Sequence, residues 1–124
     1  MNEQRNKTNQ VINFNPEDTV NTAANTSGTS FGDICASMIE LHDKKNADYG
    51  DAFTKSMDIF GSPYLVSRLH DKVQRLINFS LGAEVKVKDE TVLDTLMDLA
   101  CYAVMGIEYY QKVMINDSIN KASS

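Results

Sequence analysis

Three carboxylates follow one another at helical spacing in the last third of the chain. Glu90, Asp94 and Asp98 lie at positions i, i+4 and i+8, so on a helix they share one face within an arc of roughly 80°. Asp98 also falls inside the most apolar stretch of the sequence, where an unpaired carboxylate is costly to bury. A positive partner is therefore expected to face Asp98, either Mg²⁺, which prefers carboxylate oxygens, or a basic side chain.

A second charged cluster precedes these acids on a separate helical segment. Its members lie at i, i+3, i+4 and i+7: Arg68, Asp71, Lys72 and Arg75. They stand beside the apolar positions of that segment, where long basic side chains can reach into a cleft at the edge of a bundle. Basic groups in such a cleft would neutralise phosphate oxygens.

Two interpretations of these clusters stay open on spacing alone. In the first, the acids hold Mg²⁺ and the basic side chains hold the phosphates of one ligand. In the second, Glu90 and Asp94 only complement a helix N-terminus, Asp98 forms a salt bridge to the preceding helix, and the basic residues form a solvated face.

Apolar periodicity predicts an all-α fold, a four-helix bundle-like domain that positions these residues. The first helix is capped by Ser30 and runs to about Ala47, and a short second helix carries Phe53, Met57 and Phe60. The predicted third helix has Ser62 as N-cap with Pro63 at its first position and ends at Gly82.

The fourth helix is expected to start near Asp89 or Thr91 and to end near Ile115. It is apolar nearly all round between residues 96 and 107, which predicts that it is the buried central element of the bundle. Residues 83–89 alternate like a strand but have no second strand to pair with, so we expect an extended connection there. Residues 1–29 form an Asn/Thr-rich arm predicted to be disordered. Residues 30–115 form the domain, and residues 116–124 are expected to be a frayed tail.

Composition limits the classes of partner. The chain has 124 residues and a net charge of −5, which favours a single domain and argues against binding to duplex nucleic acid. The sequence shows no secretory signal and no apolar run of the roughly 20 residues needed to span a bilayer. We therefore expect a cytoplasmic protein without a membrane partner. Cys35 and Cys101 are expected to be small buried residues in a reducing compartment.

Three strings of residues carry a resemblance to a known family. They are residues 45–53 (KNADYGDAF), residues 71–76 (DKVQRL), and residues 87–91 (VKDET) with 94–103 (DTLMDLACYA). In this order they resemble the phage-borne nucleotide modification associated domain of the first type. That family is similar in architecture to MazG-like and dCTPase-like all-α nucleoside-triphosphate pyrophosphatases. The resemblance covers roughly residues 31–112.

The resemblance implies a nucleotide pocket between helices, with a metal-activated water attacking a nucleoside triphosphate. By motif position, Asp94, Asp98 and Asp71 are the candidate catalytic residues. Asp94, Asp98 and Glu90 are the candidate Mg²⁺ ligands. Phosphates would contact Lys72 and Arg75, with Arg68 beside them. The base or sugar end would be lined by Lys45, Asn46, Asp48 and Tyr49.

One departure from the pyrophosphatase pattern affects the predicted activity. Those enzymes carry a Glu-x-x-Glu pair on the helix before the Asp-bearing one, and here that helix offers Asp71 with Lys72 and Arg75. Mg²⁺-dependent pyrophosphohydrolysis of a (modified) deoxynucleoside triphosphate is the leading prediction. The alternative is a non-catalytic sponge that sequesters a host nucleotide second messenger and counters antiphage defence. A purely structural interaction module is the third. Exposed apolar surface, including Tyr109 and Tyr110, predicts a homo-oligomer.

Overall fold

The computed structural model describes Phe14 and residues 28–49, 51–82 and 91–123. The described residues form four α-helices, and no strand occurs among them: α1, Phe31–Tyr49; α2, Ala52–Phe60; α3, Ser62–Ser80; and α4, Val92–Ser123. The all-α prediction is confirmed. The predicted arm falls almost entirely outside the described residues, and the connection over 83–89 falls wholly outside them.

The helices begin and end at residues that satisfy their terminal backbone groups. Ser30 caps α1 as predicted, since its Oγ accepts a hydrogen bond from the N–H of Asp33 at 3.1 Å. The N-cap of α3 is Gly61 rather than the predicted Ser62, an error of one residue. Gly61 adopts a φ of 71°, which glycine tolerates without a steric penalty. Its N–H also donates to the carbonyl of Met57 and so closes α2.

Helices α3 and α4 form an antiparallel pair, which is the largest helix–helix contact among the described residues. Leu65 near the start of α3 lies against Gly106, and Lys72 one heptad later reaches Asp98. Helix α1 also runs antiparallel to α4, with Lys45 at the level of Asp98. The small core is closed by the buried side chains of Met57, Phe79, Val92 and Thr95.

Two predictions about α4 were wrong. The helix does not end near Ile115 but continues to Ser123, so the residues expected to form a frayed tail are helical and exposed. The helix is also not buried all round, because the side chains of Leu96, Val104 and Ile107 are exposed. Apolar periodicity reports which side chains avoid water but does not report whether the covering surface belongs to the same chain. No described helix is both long and apolar enough to cross a membrane.

Gly106 of α4 lies directly against the side chain of Leu65 of α3. A Cβ atom added there would lie 2.7 Å from Cδ2 of Leu65, so a side chain requires the two helices or Leu65 to shift. We expect Gly106→Val to destabilise the fold by about 1–3 kcal/mol through overpacking. Thermal unfolding followed by circular dichroism measures the effect, at roughly 4–8 °C per kcal/mol for a domain of this size.

Gly32→Val is the matched control, because a Cβ at Gly32 meets no atom within 4 Å. Both substitutions replace a helical glycine and gain similar helix propensity. Equal melting temperatures for the two variants would mean that a side chain at position 106 fits against Leu65 without destabilising the contact between α3 and α4.

Candidate functional site

A cleft opens where all four helices approach one another. Its volume is about 400 Å³, within the range of small-molecule sites. Every described helix contributes to its walls: His42, Lys45 and Asn46 from α1; Ala52 and Phe53 from α2; Tyr64 and Arg68 from α3; Asp98, Cys101, Tyr102 and Met105 from α4. The wall therefore combines basic, acidic and aromatic side chains.

Asp98 holds two lysines from two different helices. Its Oδ1 accepts a hydrogen bond from Nζ of Lys45 at 2.9 Å, and its Oδ2 lies 3.2 Å from Nζ of Lys72. The side chains of Asp98 and Lys72 are 19% and 22% exposed, whereas that of Lys45 is 54% exposed. Solvent therefore screens the Lys72 pair less than the Lys45 pair. The positive partner expected to face Asp98 is thus supplied by side chains of α1 and α3.

The ion pairs change the proton affinities of two cleft residues. Burial lowers the pKa of Lys45, but the hydrogen bond and the negative charge of Asp98 outweigh it and the pKa lies above its ordinary value. Lys45 is therefore charged at neutral pH. Burial raises the pKa of the Cys101 thiol, the charge of Asp98 raises it further, and Lys45 opposes them. Cys101 is accordingly a protonated thiol at neutral pH and a poor nucleophile.

Three aromatic rings form one end of the cleft. Phe53 packs between Tyr64 and Tyr102, with ring centroids 5.8 Å and 6.2 Å away. The guanidinium carbon of Arg68 lies 5.2 Å from the centroid of the Tyr64 ring, a cation–π contact that holds the positive charge beside the rings. Flat apolar surfaces beside a guanidinium suit a planar ring that carries an anionic group.

An apolar pocket of about 180 Å³ adjoins this cleft between α1 and α4. The two cavities share His42, Cys101 and Met105. Met38, Ile39, Val104 and Glu108 complete the lining of the smaller one. A ligand in the cleft therefore has apolar space to one side.

Asp94 has a structural role at the start of α4. Its Oδ2 accepts hydrogen bonds from the backbone N–H of Thr91 at 3.0 Å and from the Thr91 hydroxyl at 2.9 Å. The Thr91 Oγ1 in turn accepts the N–H of Asp94 at 3.2 Å. This reciprocal pair is a capping box with Asp in the position usually held by Glu. Asp94 is exposed and is not part of the cleft wall.

The predicted Mg²⁺ ligands do not meet as a group among the described residues. No group of three His, Cys, Asp or Glu side chains suited to a metal ion occurs among the residues that the structure describes. Of the predicted ligands, Asp94 caps α4 and Asp98 is neutralised by two ammonium groups, whereas Glu90 lies outside the described residues. These contacts agree with the second interpretation of the acidic cluster, in which Asp98 forms a salt bridge to the preceding helix.

The predicted basic cluster of α3 is divided between two sites. Arg68 faces the cleft, and Lys72 reaches Asp98 from the side. Asp71, Lys72 and Arg75 line a separate open groove of about 290 Å³ together with His70, Gln74 and Asn78. Among the α1 candidates, Lys45 and Asn46 line the cleft. The side chains of Asp48 and Tyr49 lie outside the described part of the structure.

Sequence reasoning missed the aromatic wall of the cleft. Phe53 and Tyr102 stand inside the motifs that carry the family resemblance, but the sequence assigns neither of them to a binding site. Two spacing signals were available: Tyr64 and Arg68 lie at i and i+4 on α3, and Asp98, Tyr102 and Met105 lie at i, i+4 and i+7 on α4. His42 and Cys101 gave no comparable signal.

The fold and the cleft define an all-α protein whose four helices enclose a cleft lined by basic, acidic and aromatic side chains. The chain belongs to the nucleotide modification associated domain 1 family, whose model matches residues 45–109, slightly more than half of the sequence. The matched region contains α2 and α3 completely, the end of α1 and the part of α4 that lines the cleft. No curated protein and no solved structure matches the chain.

Cys101 reports the electrostatics of the cleft through its reaction with iodoacetamide. Because burial and Asp98 both raise the pKa of this thiol, the pH midpoint of alkylation is expected to lie above that of a cysteine in an unfolded peptide of the same local sequence. Asp98→Asn removes one of the two causes and should lower the midpoint. Peptide mass spectrometry across a pH series separates Cys101 from Cys35. A midpoint at or below the peptide value would contradict the assigned environment.

Proposed function

We propose that the cleft binds a small phosphorylated nucleotide, with a ring against the aromatic wall and phosphate oxygens on Lys45 and Arg68. The observation that carries this proposal is the juxtaposition of three aromatic rings with two basic side chains in one cleft of about 400 Å³. Aromatic faces and cationic groups recognise the two chemically different ends of a nucleotide. Membership of a family named for nucleotide modification supports the same class of ligand.

Local charge supports the phosphate end of the proposal. Two positive charges, Lys45 and Arg68, and one negative charge, Asp98, line the cleft, and Lys72 pairs with Asp98 from the side. The cleft is therefore net positive in a chain whose net charge is −5. Such a site concentrates a small anion without giving the whole protein affinity for polyanions.

In the proposed binding mode, side chains of the protein neutralise the phosphate charge, because the basic groups of Lys45 and Arg68 already line the cleft. The pairing of Asp98 with two lysines supports sequestration of a nucleotide, including the predicted sponge for a second messenger. In this mode the phosphate competes with Asp98 for Lys45, and Asp98 keeps its pairing with Lys72.

Pyrophosphohydrolysis, the activity of the resembled all-α pyrophosphatases, is the second candidate function. The observation that favours it is the position of Asp98 in the cleft wall one helical turn after Asp94. In that function Asp98 would have to leave Lys45 and Lys72 and join Glu90 around Mg²⁺. The two functions therefore assign opposite roles to the same carboxylate.

Removal of one positive charge from the cleft tests the binding function. Lys45→Ala and Arg68→Ala should each weaken binding roughly ten- to 150-fold, because charge-assisted hydrogen bonds contribute about 1.5–3 kcal/mol. Calorimetry in EDTA with a panel of nucleoside mono- and triphosphates, cyclic dinucleotides and ADP-ribose measures the affinities. Mass spectrometry of any ligand copurifying with the protein identifies the member of the panel to use first.

Lys112→Ala is the matched control for this experiment. Lys112 pairs with Glu108 on the exposed surface of α4 and is absent from the cleft wall, so its loss changes the net charge equally without touching the site. Affinities of the Lys45 and Arg68 variants equal to that of the Lys112 variant would rule out the proposed phosphate contacts.

Asp98→Asn separates the two candidate functions. If the cleft only binds, the substitution removes the anion that competes with phosphate and should tighten binding in EDTA by roughly tenfold, since a charge pair at this distance is worth about 1–4 kcal/mol. If the cleft hydrolyses triphosphates, the same variant loses Mg²⁺-dependent pyrophosphate release. Wild-type and variant protein are compared in both assays. Two results together would favour the enzyme: the wild-type protein releases pyrophosphate, and the Asp98→Asn variant binds nucleotide more weakly than the wild type.

A further inference from the structure

Helix α4 carries an exposed apolar stripe on the side away from the cleft. Its members recur at alternating spacings of three and four residues, which is the pattern of a coiled-coil seam: Leu93, Leu96, Ala100, Ala103, Ile107, Tyr110 and Met114. The large side chains of this stripe are 39–68% exposed. The small residues Ala100 and Ala103 at its centre permit a close approach of another helix.

Helix α3 carries a second exposed apolar stripe formed by Val66, Val73 and Ile77, which are 43–62% exposed. Each helix is viewed along its own axis from its N-terminus, and angles are measured from the side that packs on the other helix. On both α3 and α4 the exposed stripe is then rotated from that side by about 100° in the same sense. Because the two helices are antiparallel, equal rotations bring both stripes to one side of the pair. We call the combined surface the hairpin face.

The hairpin face lies opposite the cleft. Tyr64 and Arg68 on α3, and Asp98 and Tyr102 on α4, are rotated in the other sense from the helix–helix contact. Helices α1 and α2 pack on that cleft side, where Lys45 reaches Asp98 and Phe53 reaches Tyr102. Within the described ranges, no helix packs on the hairpin face.

We infer that the hairpin face binds a second copy of this chain, so that two α3–α4 pairs form a four-helix core. The alternating spacing of three and four residues on α4 is the pattern that packs against another helix. Because two such stripes lie side by side, on α3 and on α4, the expected partner is a pair of helices of similar length. The α3–α4 pair of another copy has that shape. A two-fold axis through the hairpin face brings the same surface of both copies into contact, which is the arrangement of an isologous interface.

The size and charge of the face fit this occupant. A stable interface takes about 800 Å² from each partner, and the eight large apolar side chains of the two stripes span three heptads of α4 and about half of α3. The stripes contain no Asp, Glu, Lys or Arg, so two copies meet there without like-charge contacts although each carries a net charge of −5. The N-terminal residues 1–27 are a poorer occupant, because only Val11, Ile12, Phe14 and Val20 among them are large and apolar.

Light scattering and sedimentation equilibrium of the full chain test the inference. The expected mass is twice 13.8 kDa, and it should fall to that of one chain on dilution. Val73→Glu on α3 and Ile107→Glu on α4 each place an unpaired charge in the interface. They should weaken dimerisation by on the order of 100-fold or more while leaving nucleotide affinity unchanged.

Ile59→Glu is the matched control, because Ile59 is an exposed apolar residue of α2 (73%, against 43% for Val73 and 57% for Ile107) that lies away from the hairpin face. A monomeric wild-type chain, or a dimer that persists in both face variants, would overturn the inference. If a face variant loses its helical circular dichroism signal, urea unfolding of the wild type at about 1 µM and 100 µM decides, since the midpoint of a dimer rises with concentration. A midpoint that does not move would equally overturn it.

Discussion

The carboxylate of Asp98 organises the cleft. It stands in an apolar stretch of α4, where a lone negative charge would be strongly destabilising, and it is stabilised by one lysine from each of two other helices. The pairing joins α1 to α4 across 53 positions of sequence and joins α3 to α4 in the same place. Those constraints set the spacing of the three helices around the cavity. The same charge affects the proton affinities of Lys45 and Cys101.

In the proposed binding mode, Asp98 and a phosphate are alternative partners of the same lysine. In the free protein the Asp98 carboxylate pairs with both ammonium groups. A phosphate would compete for Lys45, whose side chain is 54% exposed, while Asp98 would stay paired with the more buried Lys72. This is why the identity of residue 98 distinguishes binding from hydrolysis.

Much of the fold, and part of the site, follow from the sequence. The 3.6-residue period located four helices, the cap at Ser30 and the beginning of α4, because these depend on local spacing and local hydrogen bonds. The preference of Asp98 for a basic partner on the preceding helix was also foreseeable, since a carboxylate in an apolar stretch requires one. The pairing of Lys45 with Asp98 could not be predicted, because a contact between residues 53 positions apart depends on how α1 packs against α4. The aromatic wall of the cleft could not be predicted for a related reason, because its rings belong to three different helices and meet only after folding: Phe53, Tyr64 and Tyr102.

The error over α4 follows from a different property of sequence patterns. A helix that is apolar nearly all round is expected to be covered nearly all round, and for this reason the pattern over residues 96–107 predicted a fully buried helix. The described chain supplies the cover on one side only, with α3 along one flank and α1 and α2 over the cleft. The opposite side keeps its seam of Leu96, Ala103 and Ile107 exposed. The helical period separates two surfaces of one helix: positions 98, 102 and 105 form a wall of the cleft, and the positions half a turn away form the exposed apolar stripe that we assign to a second copy of the chain. Substitutions on one side should therefore leave the other intact, because residues half a turn apart on a helix share few neighbours.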